Sequence, residues 1–176
     1  MDVVGRRARG LSRSEAAVLA LLALEGERSG YDLLRDGRRG IGFAVAPAKS
    51  GLYALLPRLV RDGLASGRTV AQAGRPDKEL YAVTAAGRAA LDEWLTAVVP
   101  GDEDGFRLKL FAGELTTPTV VRLHVEQFRD DAREQLGELE RRDGGGGYRG
   151  LLLDLAAGRA RHALAWAEDA LAGPLR

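Results

Sequence analysis

The sequence predicts a mainly α-helical protein with two domains and a single short β-hairpin, which lies in the first domain. Three observations support this prediction. Helix-capping signals recur before runs of apolar residues at helical spacing, two short β-favouring segments flank a Gly- and Pro-containing turn, and an acidic segment, GDEDG, follows Pro100. We therefore expect a first domain over residues 1–100 and a helical second domain over residues 106–176.

Composition limits the classes of protein to consider. With 176 residues, of which 45% are apolar and 29% charged, the chain is typical of globular proteins. The absence of cysteine excludes disulfides, thiolate metal sites and cysteine nucleophiles. No segment approaches the ~20 apolar residues of a membrane-spanning helix, and the opening MDVVGRRARG lacks the apolar run of a signal peptide. We expect a cytoplasmic protein.

Charge is distributed unevenly between the two parts. Residues 1–100 contain 15 Lys and Arg against 11 Asp and Glu, whereas residues 101–176 contain 11 against 14. A basic first part is compatible with a polyanionic partner, but an excess of this size is also what an ordinary solvated surface carries. Charge alone therefore identifies no partner.

The first helix is predicted over residues 13–25. Ser12 and Glu15 have the spacing of a capping box, an apolar run follows, and Gly26 can end the helix. A short second helix, SGYDLLRD, begins with Ser29 and Asp32 at the same spacing. Two adjacent helices of this kind are expected to pack through their apolar sides.

A third helix is predicted after a Gly-rich loop that contains Pro47. Its sequence is SGLYALLPRLVRDG, which Ser50 opens and Gly63 closes. Pro57 lies inside it, removes one backbone donor and crowds the carbonyl of Tyr53. We expect a kink at this point.

Two strands and a fourth helix complete the first domain. LASGRTVAQ and KELYAVT carry β-favouring residues, and Ala73 to Asp77 supplies Gly and Pro for a hairpin turn. Thr84 is placed to cap the helix AAGRAALDEWLTAVV, which Pro100 ends. Three helices followed by a hairpin is the order of a winged helix-turn-helix, in which the third helix enters the major groove of DNA and the hairpin forms a wing.

The hairpin turn contains Gly74, Arg75 and Pro76, and this combination suggests a function. A rigid turn that carries a cation suits contact with DNA phosphates, and Arg68 and Lys78 flank it on the strands. The alternative is an ordinary hairpin whose arginine is only solvated. The two interpretations have equal support from the residues alone.

The second domain is predicted to contain two long helices. The first, over about 118–142, has an apolar face, and DGGGG ends it. The last helix, to about residue 172, is apolar over much more than one stripe. Two or three helices cannot bury so wide a surface, so we expect it to pack against a second copy of the chain; packing against the first domain is the alternative.

The sequence contains no convincing catalytic, metal or cofactor site. FAVAPAKS resembles a phosphate-binding loop, but Phe43 and Ala48 replace its two glycines. His124 and His162 lie on separate predicted helices without a second local ligand. We expect neither an enzyme nor a cofactor.

Several segments of the chain together resemble the PadR family of bacterial transcriptional regulators: LLALEGERSGYDLL, SGLYALLPRLVRDGLASG, GRPDKELYAVTAAGRAAL and FRLKLFAGEL. The resemblance covers nearly the whole chain, and the order and spacing of the motifs are more specific than any one of them. The matching positions are Gly30, Tyr31, Leu52, Tyr53, Gly63, Leu64, Tyr81, Thr84 and Gly87. One departure is Ala54, where the family often has proline, with Pro57 three residues later.

This resemblance implies a homodimeric repressor that binds double-stranded operator DNA and is released by a small, often aromatic, effector. The C-terminal helices would form the dimerisation domain. Trp94 and Trp166 are the candidates for effector binding, although core packing is an alternative for each. The predicted DNA-binding residues are Tyr31, Lys49, Ser50, Tyr53, Arg58, Arg61, Arg68, Arg75 and Lys78. The competing interpretation is a ligand- or partner-binding dimer that has lost specific DNA recognition.

Overall fold

The structure is a computed structural model, which describes residues 10–37, 49–72, 75–142 and 146–175. The chain divides into two compact units, Met1–Ala97 and Val98–Arg176. Among the described residues, unit 1 contains four helices and three strands, and unit 2 contains three helices and one turn of 3-10 helix. Each unit has its own core.

Helix α1, Arg13–Glu25, is the central helix of unit 1. The predicted capping box is present, because the Ser12 hydroxyl accepts from the amide of Glu15 while the Glu15 carboxylate accepts from the amide of Ser12 at 2.8 Å. Eight consecutive residues, 15–22, are buried, so neighbouring elements surround the helix on every side. This explains why its sequence is apolar rather than amphipathic.

Helices α2, Gly30–Gly37, and α3, Lys49–Arg61, follow α1. The Ser29 hydroxyl accepts from the amide of Asp32 at the start of α2, as its spacing predicted. Helix α3 begins one residue before the predicted Ser50 and continues as α-helix past Pro57, which is exposed. The predicted loop between α2 and α3 lies outside the described residues.

The sheet has three antiparallel strands in the order β1-β3-β2: Arg28–Ser29, Arg75–Val83 and Ala65–Gln72. The predicted two-stranded wing is present as β2 and β3. The third strand, β1, was not predicted, because it is only two residues long and too short to show alternation. The predicted turn from Ala73 to Asp77 was wrong, since Arg75 to Asp77 belong to β3. Gln72 pairs with Arg75 and Val70 with Lys78, a register shift that leaves Pro76 in a bulge, where a missing donor is tolerated.

Helix α4, Ala85–Thr96, begins at the predicted cap and ends four residues before Pro100. The Thr84 hydroxyl accepts from the amide of Gly87 at 3.0 Å and donates to the carbonyl of Gly63 at 2.7 Å, while the Thr84 amide donates to the carbonyl of Leu64. A Cβ at position 87 would lie 2.0 Å from the Leu64 carbonyl oxygen. The glycine therefore lets α4 sit directly against the end of α3.

Unit 2 contains α5, Glu103–Phe111, a 3-10 turn, Gly113–Leu115, and two long helices, α6, Pro118–Glu140, and α7, Gly147–Ala172, which pack along each other. The acidic segment GDEDG, which was expected to lie between the two domains, instead starts α5, because Asp102 caps this helix and its acidic neighbours form the first turn, where carboxylates are favoured. Helix α6 ends two residues before its predicted end, and Gly147, the last residue of the predicted break, is the first residue of α7. In the part of the chain that the structure describes, no helix is long and apolar enough to cross a membrane.

Candidate nucleic-acid interface

Helices α2 and α3 meet at Gly30, where any larger residue would force the Tyr53 side chain to shift. A Cβ at Gly30 would lie 2.9 Å from the ring of Tyr53. The two helices therefore come together at the first residue of α2, and they leave Tyr31 67% and Tyr53 47% exposed. Large aromatic side chains that stay exposed beside a close helix contact form a surface suited to a macromolecular partner.

The opposite side of α3 anchors it in unit 1. Leu52, Leu55, Leu56 and Leu59 are buried. Tyr53 is exposed between them, so α3 has one side that packs on the core and another side that faces solvent. Arg61 extends from the solvent side, and 69% of its side chain is exposed. This arrangement presents the exposed side of α3 to a groove while its leucines hold the helix in place.

Arg58, a predicted DNA-binding residue, forms an ion pair with the buried carboxylate of Glu15. Only 4% of the Glu15 side chain is exposed. Burial raises the pKa of Glu15, but the hydrogen bonds from Ser12 and the charge of Arg58 outweigh it, so that the pKa is lowered overall. The guanidinium of Arg58 therefore compensates a buried charge and joins α3 to α1.

Two further predicted cations are paired with carboxylates. Arg68 donates to both carboxylate oxygens of Glu27, at 2.7 and 2.5 Å, and Lys78 lies 2.8 Å from Asp32. The hydrogen bond from Lys78 lowers the pKa of Asp32 to about 2, helped by a second bond from the Ser29 hydroxyl. We call Glu27, Asp32, Arg68 and Lys78 the ion-pair face.

No sequence motif predicts Glu15, Glu27 and Asp32 as partners of these cations. Glu15 and Asp32 were noted only for their helix-capping spacing. Their partners lie 41 or more positions away in the sequence, so no local pattern connects them. The side chains of Lys49, Ser50 and Arg75 lie outside the described residues, although the backbone places the first two in the first turn of α3 and Arg75 at the start of β3.

Unit 2 contains a cleft of about 1580 Å³ between α5, α6 and α7. Three aromatic side chains form its wall: Phe106 stacks on Phe128 with ring centroids 4.3 Å apart, and Trp166 meets both edge-on at 5.9 and 5.8 Å. Lys109 and His124 are buried beside them. Burial lowers the pKa of Lys109, an effect that the charge of Asp102 opposes.

The two tryptophans occupy different units. Trp94 is half-buried on α4 of unit 1, whereas Trp166 belongs to the aromatic wall of the cleft in unit 2. His124 is buried on α6 and His162 is exposed on α7. Within the described ranges, no three His, Asp or Glu side chains are grouped as a metal site would require.

The first half of α7 exposes apolar side chains. Tyr148 is 92% exposed, Leu151 and Leu152 are each 67% exposed, and Leu155 is 60% exposed. Neighbouring large apolar residues rarely stay exposed on a monomeric protein. This surface, which we call the α7 patch, lies next to the cleft, since Leu152 and Leu155 also line it.

Known protein families match both units of the chain. Residues 18–93, from α1 to α4, match the transcriptional regulator PadR-like family. The chain carries a PadR-like domain. This family is described as one of transcriptional regulators. Residues 104–173 of unit 2 match a second family, the virulence activator alpha C-terminal region.

Two curated relatives carry names of the same kind. The chain is 37% identical over 79 residues to a probable transcriptional regulator of Mycobacterium tuberculosis, covering 45% of this chain and 41% of that protein. It is 33% identical over 98 residues to the negative transcriptional regulator PadR of Bacillus subtilis, covering 54% and 53%. The chain thus spans about half the length of these relatives. The crystal structure of Bacillus subtilis PadR with operator DNA is similar at 24% identity and a TM-score of 0.47, covering 90% of this chain and 95% of that one.

Proposed function

We propose that this PadR-like protein is a dimeric transcriptional regulator that binds operator DNA through α3 and the β2–β3 wing. The observation that carries the proposal is the arrangement of α2 and α3, which buries four leucines of α3 and exposes Tyr31, Tyr53 and Arg61. A helix fixed on one side and exposed on the other can enter a major groove without changing the fold. The proposed DNA partner implies a cytoplasmic protein.

The proposed roles of the nine predicted DNA-binding residues differ. Tyr31, Tyr53 and Arg61 are exposed and are proposed to contact DNA directly. Arg58 is proposed to act mainly through α3, because its guanidinium neutralises Glu15. The backbone positions in α3 and β3 keep Lys49, Ser50 and Arg75 as proposed contacts. Arg68 and Lys78 belong to the ion-pair face and are paired with carboxylates.

The second part of the proposal is a homodimer formed by unit 2. The α7 patch supports it, because these four side chains lose contact with water only if another surface covers them. A DNA-binding dimer presents two recognition helices to two half-sites, and this doubles the contacts made with DNA. Dimerisation and DNA binding are therefore linked in the proposal.

The third part of the proposal is release of DNA by a small aromatic effector, which makes the protein a repressor. The cleft of unit 2 supports this, because its aromatic wall can stack a planar ring and the buried Lys109 can attract an anionic group. Trp166 belongs to that wall, whereas Trp94 lies on α4 and is proposed only as a secondary reporter. Saturable quenching of tryptophan emission by planar aromatic compounds, lost in Trp166→Phe and retained in Trp94→Phe, tests the site. No quenching across a broad panel would assign both residues to core packing.

The test of DNA binding is a mobility-shift titration on the region upstream of the protein's own gene, with an unrelated fragment of equal length and a stated salt concentration. We expect tighter binding to the upstream fragment that survives excess unrelated DNA. Equal binding to both fragments, or none, would support the alternative of a ligand- or partner-binding dimer without specific DNA recognition.

A further inference from the structure

The ion-pair face lies on the outer side of the wing. Arg68 is paired with Leu80 across β2 and β3, and Lys78 is two residues from Leu80, so both cations project from the same face of the sheet. Tyr81, one residue further along β3, is buried and therefore points to the opposite, core side. The two cations thus occupy the face that a wing can turn toward DNA.

Carboxylates of the same unit already occupy these cations. Glu27 accepts from the Nε and Nη2 groups of Arg68, and this is the paired geometry through which arginine also binds phosphate. Asp32 binds Lys78 at 2.8 Å, and its side chain is 14% exposed. A phosphate must share or displace each carboxylate before either cation contributes to DNA binding.

We propose that Glu27 and Asp32 restrain the affinity of this protein for DNA in general by holding Arg68 and Lys78 away from phosphate. The inference rests on the proposed function, since it assigns a role to residues beside the DNA-binding surface. Phosphate contacts supply affinity without sequence information, so restraining them reduces binding to unrelated DNA. Restraint of this kind makes recognition depend more on α3 than on the wing.

Glu27 offers the sharper test of the two carboxylates. Asp32 also binds Ser29 at the start of α2, so its replacement disturbs a helix start as well as an ion pair. Glu27 lies in the bend before β1, outside any helix, and its carboxylate binds Arg68. Glu27→Gln therefore releases Arg68 while leaving the helices untouched.

The experiment measures affinity for an unrelated DNA duplex over a series of salt concentrations. For Glu27→Gln we expect affinity to rise on the order of tenfold near ~0.1 M salt, and the slope of log affinity against log salt to steepen by about 1 for each Arg68 that gains a phosphate. The matched control is Glu25→Gln, which changes the net charge equally but removes a partner of Arg28 instead. Adding Arg68→Ala to Glu27→Gln should abolish the gain, and a thermal melt confirms that each variant is folded.

Each outcome has a distinct meaning. A gain that exceeds the Glu25→Gln control and disappears with Arg68→Ala supports the restraint. Equal behaviour of Glu27→Gln and Glu25→Gln, or a gain that survives Arg68→Ala, overturns the restraint while the proposed function stands. Absence of DNA binding by the unaltered protein and all variants overturns the proposed function, and the restraint with it.

Discussion

The two units of this chain treat their large apolar side chains in opposite ways. Among the residues that the structure describes, unit 1 contributes eight of the ten largest fully buried side chains, and unit 2 contributes Leu108 and Val125. Unit 2 instead contributes nine of the twelve large apolar side chains that are exposed, four of them in the α7 patch. Unit 1 therefore buries most of its large apolar side chains in a core around α1, whereas unit 2 leaves many of its large apolar side chains exposed.

This difference indicates how the two functions are separated. A unit with a closed core keeps its shape alone, as a helix that must fit a DNA groove requires. A unit with an open apolar surface is stable only when another surface covers it, as a dimerisation element requires. Among the described residues of unit 1, the large apolar side chains that are exposed are Tyr31, Tyr53 and Val60, which lie in α2 and α3, where a partner other than protein is proposed.

The largest expected effect is on the α7 patch. In the proposed dimer, Leu152→Glu combined with Leu155→Glu introduces four charges into the interface and removes four leucines, each of which would contribute ~1.5 kcal/mol or more when the partner covers it. The dimer should weaken by about four orders of magnitude in Kd. Sedimentation at micromolar protein measures this, with Ala86→Glu combined with Ala89→Glu on the exposed surface of α4 as a control of equal charge. A Leu152 and Leu155 variant that stays dimeric would place the interface elsewhere.

A smaller effect is expected on the stability of unit 1, at the close contact between Gly87 and Leu64. Gly87→Ala places a Cβ 2.0 Å from the Leu64 carbonyl oxygen, so α4 must move away from the end of α3. Overpacking of this kind lowers the free energy of unfolding by ~1–3 kcal/mol. Urea denaturation measures it. Gly51→Ala, which meets no atom within 4 Å in helix α3, is the control and should be neutral or slightly stabilising. Equal stability of the two variants would contradict the close contact.

Substitutions in the Glu15–Arg58 pair should change the free energy of unfolding by a similar amount. They also test whether Arg58 holds α3 in place or contacts a DNA phosphate. Arg58→Gln leaves a buried carboxylate without its cation, at a cost on the order of 2 kcal/mol because Arg58 itself stays partly exposed. Glu15→Gln combined with Arg58→Gln removes both charges and should restore most of the stability. For this double variant, the slope of log DNA affinity against log salt should equal that of the unaltered protein. A slope flattened by about 1 would assign Arg58 to a phosphate instead.

The smallest expected effect comes from the wing. Arg75→Ala should weaken binding to operator and unrelated DNA by similar factors and flatten the salt slope by about 1 per contact, because phosphate contacts carry no sequence information. Tyr53→Ala should instead weaken operator binding more than unrelated binding, since Tyr53 is exposed on α3. Salt titrations of both variants on both DNAs distinguish them. Unchanged affinity and slope for Arg75→Ala would leave the hairpin as an ordinary exposed turn.

Local signals in the sequence predicted most of the fold. The caps at Ser12, Ser29 and Thr84 are short-range hydrogen bonds between residues three apart, so their spacing is visible in the sequence. The two-residue strand β1 and the helical GDEDG segment were missed, because pairing with β3 and packing in unit 2 decide them rather than local preference.

The candidate site was less predictable than the fold. The exposure of Tyr31 and Tyr53 follows from helical periodicity, but the pairing of Arg58, Arg68 and Lys78 depends on tertiary contacts across 41 or more residues. Residue type alone marked these three as cations for DNA. In the structure, each of these three cations forms an ion pair with a carboxylate of unit 1.

The central claim is that a second copy of the chain covers the exposed apolar side chains of unit 2. The molar mass of the full chain in solution tests this claim most directly. Light scattering during size-exclusion chromatography at micromolar concentration should give twice the chain mass of 18.8 kDa. The α7 patch would then be covered by a second copy. A mass of 18.8 kDa would contradict the account, because the exposed leucines of α7 would have to be stable in water without any partner.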